Sequence, residues 1–255
     1  MNISGNVKAV INGRYLVEVE ALLWELASKD RLAILRLLSE GRRRLTRVAE
    51  NVRVTVQEAH RDLSRLVKAG LVSKDAEGYY VLTPFGRYVV TILPSLEFLC
   101  EYRDYFLSHD LSGVPENLIY RLGELRGSKY APDTFTALRY AEILVEEAKE
   151  YVWIVTEQVM PSIARLIPEK DIHFRAVMPR VKPPPGIDTR ELGNVEVRFL
   201  DKVRVALVLN EKRACLAFPR LDGEIDYRGF LVKGEAGHRW CRDLFQHYWS
   251  IGEVI

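Results

Sequence analysis

Cysteine is scarce in this 255-residue chain: Cys100, Cys215 and Cys241 are the only three, widely separated and with no CxxC pair. An odd, scattered set excludes a disulfide framework and a structural zinc site of the usual spacing. It leaves three small side chains expected to sit buried in a reducing compartment. No apolar run approaches the roughly 18 residues that span a bilayer. The first residues carry no basic segment leading into an apolar one, so no signal peptide is read and the cytoplasm is the expected compartment. Strong charge of one sign is also missing, because the net charge is only +2. That excludes a chain that binds polyanions along its whole length.

What is present is an ordinary globular composition, 48% hydrophobic and 28% charged. The charge is unevenly spread. Lys29 to Lys74 holds 12 Lys and Arg against 5 Asp and Glu, so the rest of the chain is net acidic. A basic stretch joined to an acidic remainder reads as a nucleic-acid module attached to a second domain.

Hydrophobic spacing supplies the elements. Val17 to Ala27 reads as a helix with Val19, Leu22, Leu23 and Leu26 on one side. Ser28 caps a second helix that Gly41 closes, and Leu45 to Glu50 is a short third. Thr55 with Glu58 three residues on forms a capping box for a fourth, from Thr55 to Ala69. Its core positions are expected to be Val56, Ala59, Leu63, Leu66 and Val67, with Gly70 ending it. Leu71–Asp75 and Tyr79–Thr83 make a hairpin, and Pro84 opens the next helix. Three helices, a recognition helix and a hairpin are the order of a winged helix-turn-helix.

From Pro84 to Glu150 mostly helix is expected, broken near Pro94, Ser108–Pro115 and Gly127–Pro132, with Phe135–Tyr151 amphipathic. Beyond Glu150 the period changes. Strands are expected at Tyr151–Val155, Ile172–Met178, Val195–Leu200, Val203–Leu209 and Ala214–Phe218. A helix lies at Ile163–Ile167, an extended loop at Pro179–Ile187, and a closing helix at Glu235–Ser250. The fold class is α+β: a winged helix over residues 1–90, a helical linker or dimerisation region over 91–150, and a small α/β domain over 151–255.

A recognition helix lies in the major groove and shows its outer face to base edges. Here that face carries Gln57, Glu58, His60, Arg61, Ser64 and Arg65 behind the cap Thr55. Gln57, His60 and Arg61, in the N-terminal half, are the base-contact candidates. Arg42, Arg43, Arg44, Arg47, Arg53 and Arg65 suit phosphates, and Lys74 belongs to the short wing. A winged helix that binds protein instead of DNA is the alternative. His60 stands alone as a metal-ligand type before Cys100, so no metal and no cofactor are expected.

The stretch LTRVAENVRVTVQEAHRDLSRLVKAGLVSKDAEGYYVLTPFG, Leu45 to Gly86, resembles the ArsR-like winged helices of archaeal regulators. YRDYFLSHDLSGVPENLIYRLGEL, Tyr102 to Leu125, and HRWCRDLFQHYW, His238 to Trp249, are similar to archaeal regulators with a methanogenesis-regulator C-terminal domain. The resemblance implies a transcriptional regulator, often a homodimer, that binds double-stranded DNA and senses a small-molecule effector through its second domain.

That second domain also resembles the phospholipase D-like fold of some sugar-sensing archaeal regulators, which raises the alternative of a degenerate phosphodiesterase. Its catalytic H-x-K-x4-D falls on Val203, Val205 and Asn210, and His173 is followed by Arg175 but by Arg180 in place of Asp. No catalytic residue is therefore assigned, and the chain is read as a non-enzyme. Ligands of open α/β sheets sit beyond the carboxyl ends of strands. That points to Thr156, Glu157, Arg180 and Arg220, a set that suits an anionic or zwitterionic effector.

Overall fold

The computed structural model describes residues 10–11, 14–15, 19–167, 171–180 and 195–254. Two compact units emerge, Met1–Leu93 and Pro94–Ile255.

In the first unit, β1 (Val10–Ile11) and β2 (Arg14–Tyr15) pair as a minimal hairpin. The helices are α1 (Val19–Leu26), α2 (Lys29–Ser39), α3 (Leu45–Val52) and α4 (Val56–Lys68). Ser28 caps α2, its hydroxyl accepting from the Arg31 N–H at 3.4 Å. Arg53 stops α3 in the left-handed conformation, φ 62°. Thr55 and Glu58 form the expected capping box on α4. Gly70 then turns the chain at φ 72°, where a side chain would be strained.

β3 (Val72–Lys74) and β4 (Tyr80–Leu82) form the wing. Arg43 adds a third short strand to it. Its N–H donates to the Tyr80 carbonyl at 3.1 Å, and Tyr80 N–H returns a bond of 2.8 Å. Ile34, Leu35 and Leu38 of α2, Val48 and Ala49 of α3, and Ala59, Leu63 and Leu66 of α4 close one core with Leu71, Val72, Tyr80 and Leu82.

Two expectations fail here. Val56 and Val67 are 48% and 41% exposed, and Asp62 takes the buried position between Ala59 and Leu66. The buried stripe of α4 is therefore narrower than its apolar content suggests. On α1 the apolar set expected on one side is split: Leu22 and Leu26 pack against this core, whereas Val19, Leu23 and Trp24 face outward.

α5 (Pro84–Glu101) runs through Pro94, where a break was expected. Proline there removes one helix hydrogen bond. Packing within the second unit holds the following turn: the Ser95 hydroxyl donates to the Tyr120 carbonyl at 2.8 Å and accepts from Gly123 N–H at 2.9 Å. Gly123 lies so close to Pro94 that an added Cβ would stand 2.5 Å from the ring.

The second unit also contains α6 (Arg103–Phe106), α7 (Glu116–Ile119), a 3-10 turn (Leu122–Leu125) and β5 (Lys129–Ala131). Next come α8 (Thr134–Glu147), β6 (Tyr151–Val155), α9 (Pro161–Leu166) and β7 (His173–Met178). The chain continues with β8 (Val195–Phe199), β9 (Ala206–Asn210), β10 (Ala214–Ala217), β11 (Gly229–Val232) and α10 (Glu235–Ile251). The extended loop expected at Pro179–Ile187 lies largely outside the described residues.

The strands form one seven-stranded sheet in the order β5-β11-β10-β9-β6-β7-β8. β6, β7 and β8 are parallel; the remaining pairs are antiparallel. β5 and β11 are strands that hydrophobic spacing did not reveal, and Val203 and Val205 precede β9 as non-strand residues. Of the linker or dimerisation region expected over 91–150, residues from Pro94 on fold with the sheet. Phe98, Leu118, Leu122 and Leu125 join Trp240, Leu244 and Phe245 of α10 in its main core, and α8 packs across β9, β10 and β11. The Trp240 indole donates to the Leu118 carbonyl at 3.0 Å, so Tyr102–Leu125 and His238–Trp249 meet in one core.

Candidate nucleic-acid interface

Alternation along α4 separates a buried stripe from a polar one. Ala59, Asp62, Leu63 and Leu66 point inward; Gln57, His60 and Arg61 are exposed on one outer face, at spacings of three and four. The cap fixes the start of this face. Glu58 N–H donates to Thr55 Oγ1 at 3.2 Å, and Glu58 Oε2 accepts from Thr55 N–H at 2.9 Å and from its hydroxyl at 2.7 Å. These bonds to Thr55 hold the Glu58 carboxyl below its ordinary range. Glu58 is thus engaged with the cap, and Gln57, His60 and Arg61 are left open. Ser64 is half-buried and donates back to the His60 carbonyl at 2.7 Å.

The arginines divide by partner. Arg65 forms a bidentate pair with Glu25 of α1, at 3.0 and 2.8 Å, which raises its already high pKa. Expected at a phosphate, it engages Glu25 through Nε and Nη2 in the free protein and braces α1 against α4. Behind it lies a buried cation that sequence reading missed. Arg31, 8% exposed, donates to the carbonyls of Glu25 (2.8 Å) and Trp24 (2.9 Å). Its guanidinium also stands 3.0 Å from the Glu25 carboxylate and 3.6 Å from that of Asp62.

Arg42 reaches Asp75 and Glu77 in the wing turn, at 3.4 and 3.0 Å. Arg42 and Arg44 both stack over the Tyr79 ring, with centroids 4.5 and 4.8 Å away. Arg43 lies 3.9 Å from Glu40, and Arg47 pairs with Glu50 at 2.8 Å, both near or on the surface. Lys74 sits over Tyr80 at 5.5 Å. Among the described residues, Arg53 and Arg61 form no ion pair. The wing tip holds acidic Glu77 against Arg42, an exposed pair weak enough to give way to a phosphate.

The strand-end candidates of the second unit each have partners, and Glu157 and Arg220 both reach the Glu224–Ile225 segment. Arg180 pairs with Glu253 at 3.3 Å and Arg220 with Asp222 at 2.7 Å. Partial burial raises the Glu157 carboxyl above its ordinary range. Of the four, only Thr156 lines the cavity on that side of the sheet.

The positions equivalent to H-x-K-x4-D are structural. Val203 and Val205 are core residues. Buried Asn210 donates to the Leu144 carbonyl at 2.9 Å and accepts from the Lys212 and Arg213 N–H groups. Arg175 pairs with Glu196 and stacks on Trp249. Of the cysteines, Cys215 and Cys241 are buried as expected, whereas Cys100 is exposed. Among the described residues no group of three or more His, Cys, Asp and Glu could hold a metal ion, and no helix is long and apolar enough to cross a membrane.

Residues 20–101 match the family described as the HVO_A0261 N-terminal domain. No curated protein matches the chain. Among solved structures, the archaeal chromatin protein TrmBL2 is similar at 14% identity, with 90% of this chain and 95% of that chain covered and a TM-score of 0.38. The homodimeric winged helix-turn-helix domain of Mb0332 from Mycobacterium bovis, a possible ArsR-family regulator, is 26% identical over 36% of this chain and 93% of that one, TM-score 0.28. The methyltransferase SibL is similar at 14% identity, covering 71% and 62%, TM-score 0.28. All three scores are too low to carry a functional argument.

Proposed function

We propose that the chain is a DNA-binding transcriptional regulator that works as a homodimer and responds to a small-molecule effector in its second unit. The observation that carries the reading is the capped N-terminal half of α4. It presents Gln57, His60 and Arg61 together on an exposed face, braced from behind by Arg31 and Arg65. Gln pairs with adenine and Arg with guanine in the major groove. Arg53, Arg47, Arg44, Arg43 and Arg42 flank that helix with charge for phosphates. Dimerism is supported by apolar side chains left in the open on the first unit: Phe85, Tyr88 and Ile92 recur at helical spacing on α5, and Val19, Leu23 and Trp24 are exposed on α1. A twofold dimer would place two such helices in successive major grooves. No reaction is assigned to the second unit.

The test is fluorescence anisotropy of wild type and Arg61→Ala over a salt series, on the DNA upstream of the protein's own gene and on random duplex. Wild type is expected to prefer its own region. Arg61→Ala is expected to flatten that preference by about 1–3 kcal/mol. Binding of neither duplex at low salt sinks the DNA reading and leaves a winged helix that docks on protein.

A further inference from the structure

Alternation in the sheet sends Val152 and Ile154 of β6 to the face covered by α8 and α9, while Tyr151, Trp153 and Val155 go to the α10 face. Among larger apolar side chains of the α8–α9 face, such as Ile154, Ile163 and Val208, stand several small ones: Ala176 on β7, Ala206 on β9 and Ala217 on β10, with Ala141 of α8 and Ala164 of α9 also lining. Small side chains on facing layers leave space where larger ones would interdigitate. The result is a cavity of about 330 Å³, at the lower end of the size range of small-molecule sites.

Its chemistry is selective. Among the described residues the lining contains no charged side chain. Its polar lining groups are bonded to one another. Gln158 Nε2 donates to the Tyr227 hydroxyl at 2.8 Å, and the Thr156 hydroxyl donates to the Gln158 carbonyl at 2.8 Å. Tyr227 holds a left-handed φ of 61°, a strained backbone for a residue with a Cβ and a feature that clusters at ligand sites. Cys215, the remaining polar atom of the wall, is a thiol and not a thiolate, because burial pushes it up to about 12. Among the described residues the lining offers an ion no opposite charge in place of its hydration; Glu157, which acts electrostatically on the Tyr227 hydroxyl, is not part of that lining.

We propose that this cavity binds an uncharged, mainly apolar small molecule, roughly the size of a ten-carbon chain or two fused rings, which offers one hydrogen-bonding group to Thr156, Gln158 and Tyr227. The ligand is neutral, unlike the anionic or zwitterionic effector that Glu157, Arg180 and Arg220 suggested. Its role as the effector rests on the DNA-binding reading; the site itself does not.

The test uses the full chain without DNA, so the two readings fail separately. The neutral dye N-phenyl-1-naphthylamine is titrated and followed by fluorescence, then displaced by 1-decanol, decanoate or decylamine. Saturable dye binding is expected, with decanol displacing at least tenfold better than either ion. Ala176→Leu/Ala206→Leu should weaken dye binding at least tenfold while the protein keeps its melting temperature. Tyr227→Phe, which keeps the ring, should weaken decanol more than dye. Tyr88→Glu, on the exposed stripe of the first unit, should leave the dye titration unchanged. No saturable binding by folded wild type, equal displacement by decanoate, survival of binding in the filled variant, or loss of it in Tyr88→Glu would each overturn the proposal.

Discussion

Replacing Arg31 with Met should unlatch the recognition helix from behind. The Arg31 side chain is 9% exposed and Asp62 is 6% exposed, so neither is well solvated. Met fills a similar volume but donates nothing. It would strip donors from the Trp24 and Glu25 carbonyls at the end of α1, and leave Asp62 buried without its cation. Glu25 would keep Arg65. Removing one partner of a buried charged set costs about 3–5 kcal/mol, a large share of the roughly 5–15 kcal/mol that keeps a domain folded. Amide exchange at Leu63 and Leu66, measured by NMR in the full chain, reads the stability of this core without mixing it with the second unit. Adding Asp62→Leu to Arg31→Met should recover more than about 1 kcal/mol, because the orphaned charge leaves with it. Glu50→Ala provides the surface reference: its pair with Arg47 is 60–70% exposed and worth at most about 1 kcal/mol. If Arg31→Met costs no more than Glu50→Ala, the brace is not one.

Thr55→Ala removes one half of the capping box and should cost about 1 kcal/mol, seen as a lower urea midpoint and weaker operator binding. The Glu58 half of the box has a pH signature. Its carboxyl pKa is lowered in the folded chain, so its stabilisation is complete above the ordinary carboxylate range and is lost as pH falls through the lower folded value. An acid titration of Glu58→Gln should therefore lack that part of wild type's loss. Gly86→Ala would set a Cβ 2.0 Å from the carbonyl oxygen of Leu71, the residue before β3, so α5 must shift away from it. An overpacking cost of about 1–3 kcal/mol is expected in thermal unfolding. Tyr88→Glu with Ile92→Glu should turn a dimer into a monomer by sedimentation; an unchanged mass would remove α5 from the interface.

The first unit was legible because its signals are local. A capping box, helical spacing and a hairpin each lie within a few residues of one another, and α4 and the wing formed where they pointed. What escaped was nonlocal. Glu25 and Arg65 are separated by 40 positions, so Arg65 looked free although it engages Glu25. β11 is four fully buried residues between Arg228 and Lys233, too short for alternation to register. β5 is a three-residue strand paired with β11 alone, so it could not be read without it. Strand-end charges suggested a polar effector site. The cavity is lined in part by Ala176, Ala206 and Ala217 of β7, β9 and β10, and that shared face emerges only when their register is known.

The same sorting of partners predicts how the protein should answer to salt. Each phosphate contact contributes about 0.9 to the slope of log affinity against log salt. Surface pairs such as Arg47–Glu50 are weak enough to be exchanged for a phosphate, and Arg53 has no ion pair among the described residues to give up. Arg65 differs, because leaving Glu25 would expose a largely buried carboxylate to Arg31 alone. Arg53→Ala should thus reduce the slope by about 1 with stability nearly unchanged. Arg65→Ala should leave the slope as it is and lower the exchange stability of α4. Slopes measured on one duplex for wild type and both variants decide the matter. A fall of about 1 in Arg65→Ala, with none in Arg53→Ala, would mean that the helix rotates on DNA and that the brace seen in the free protein opens to bind it.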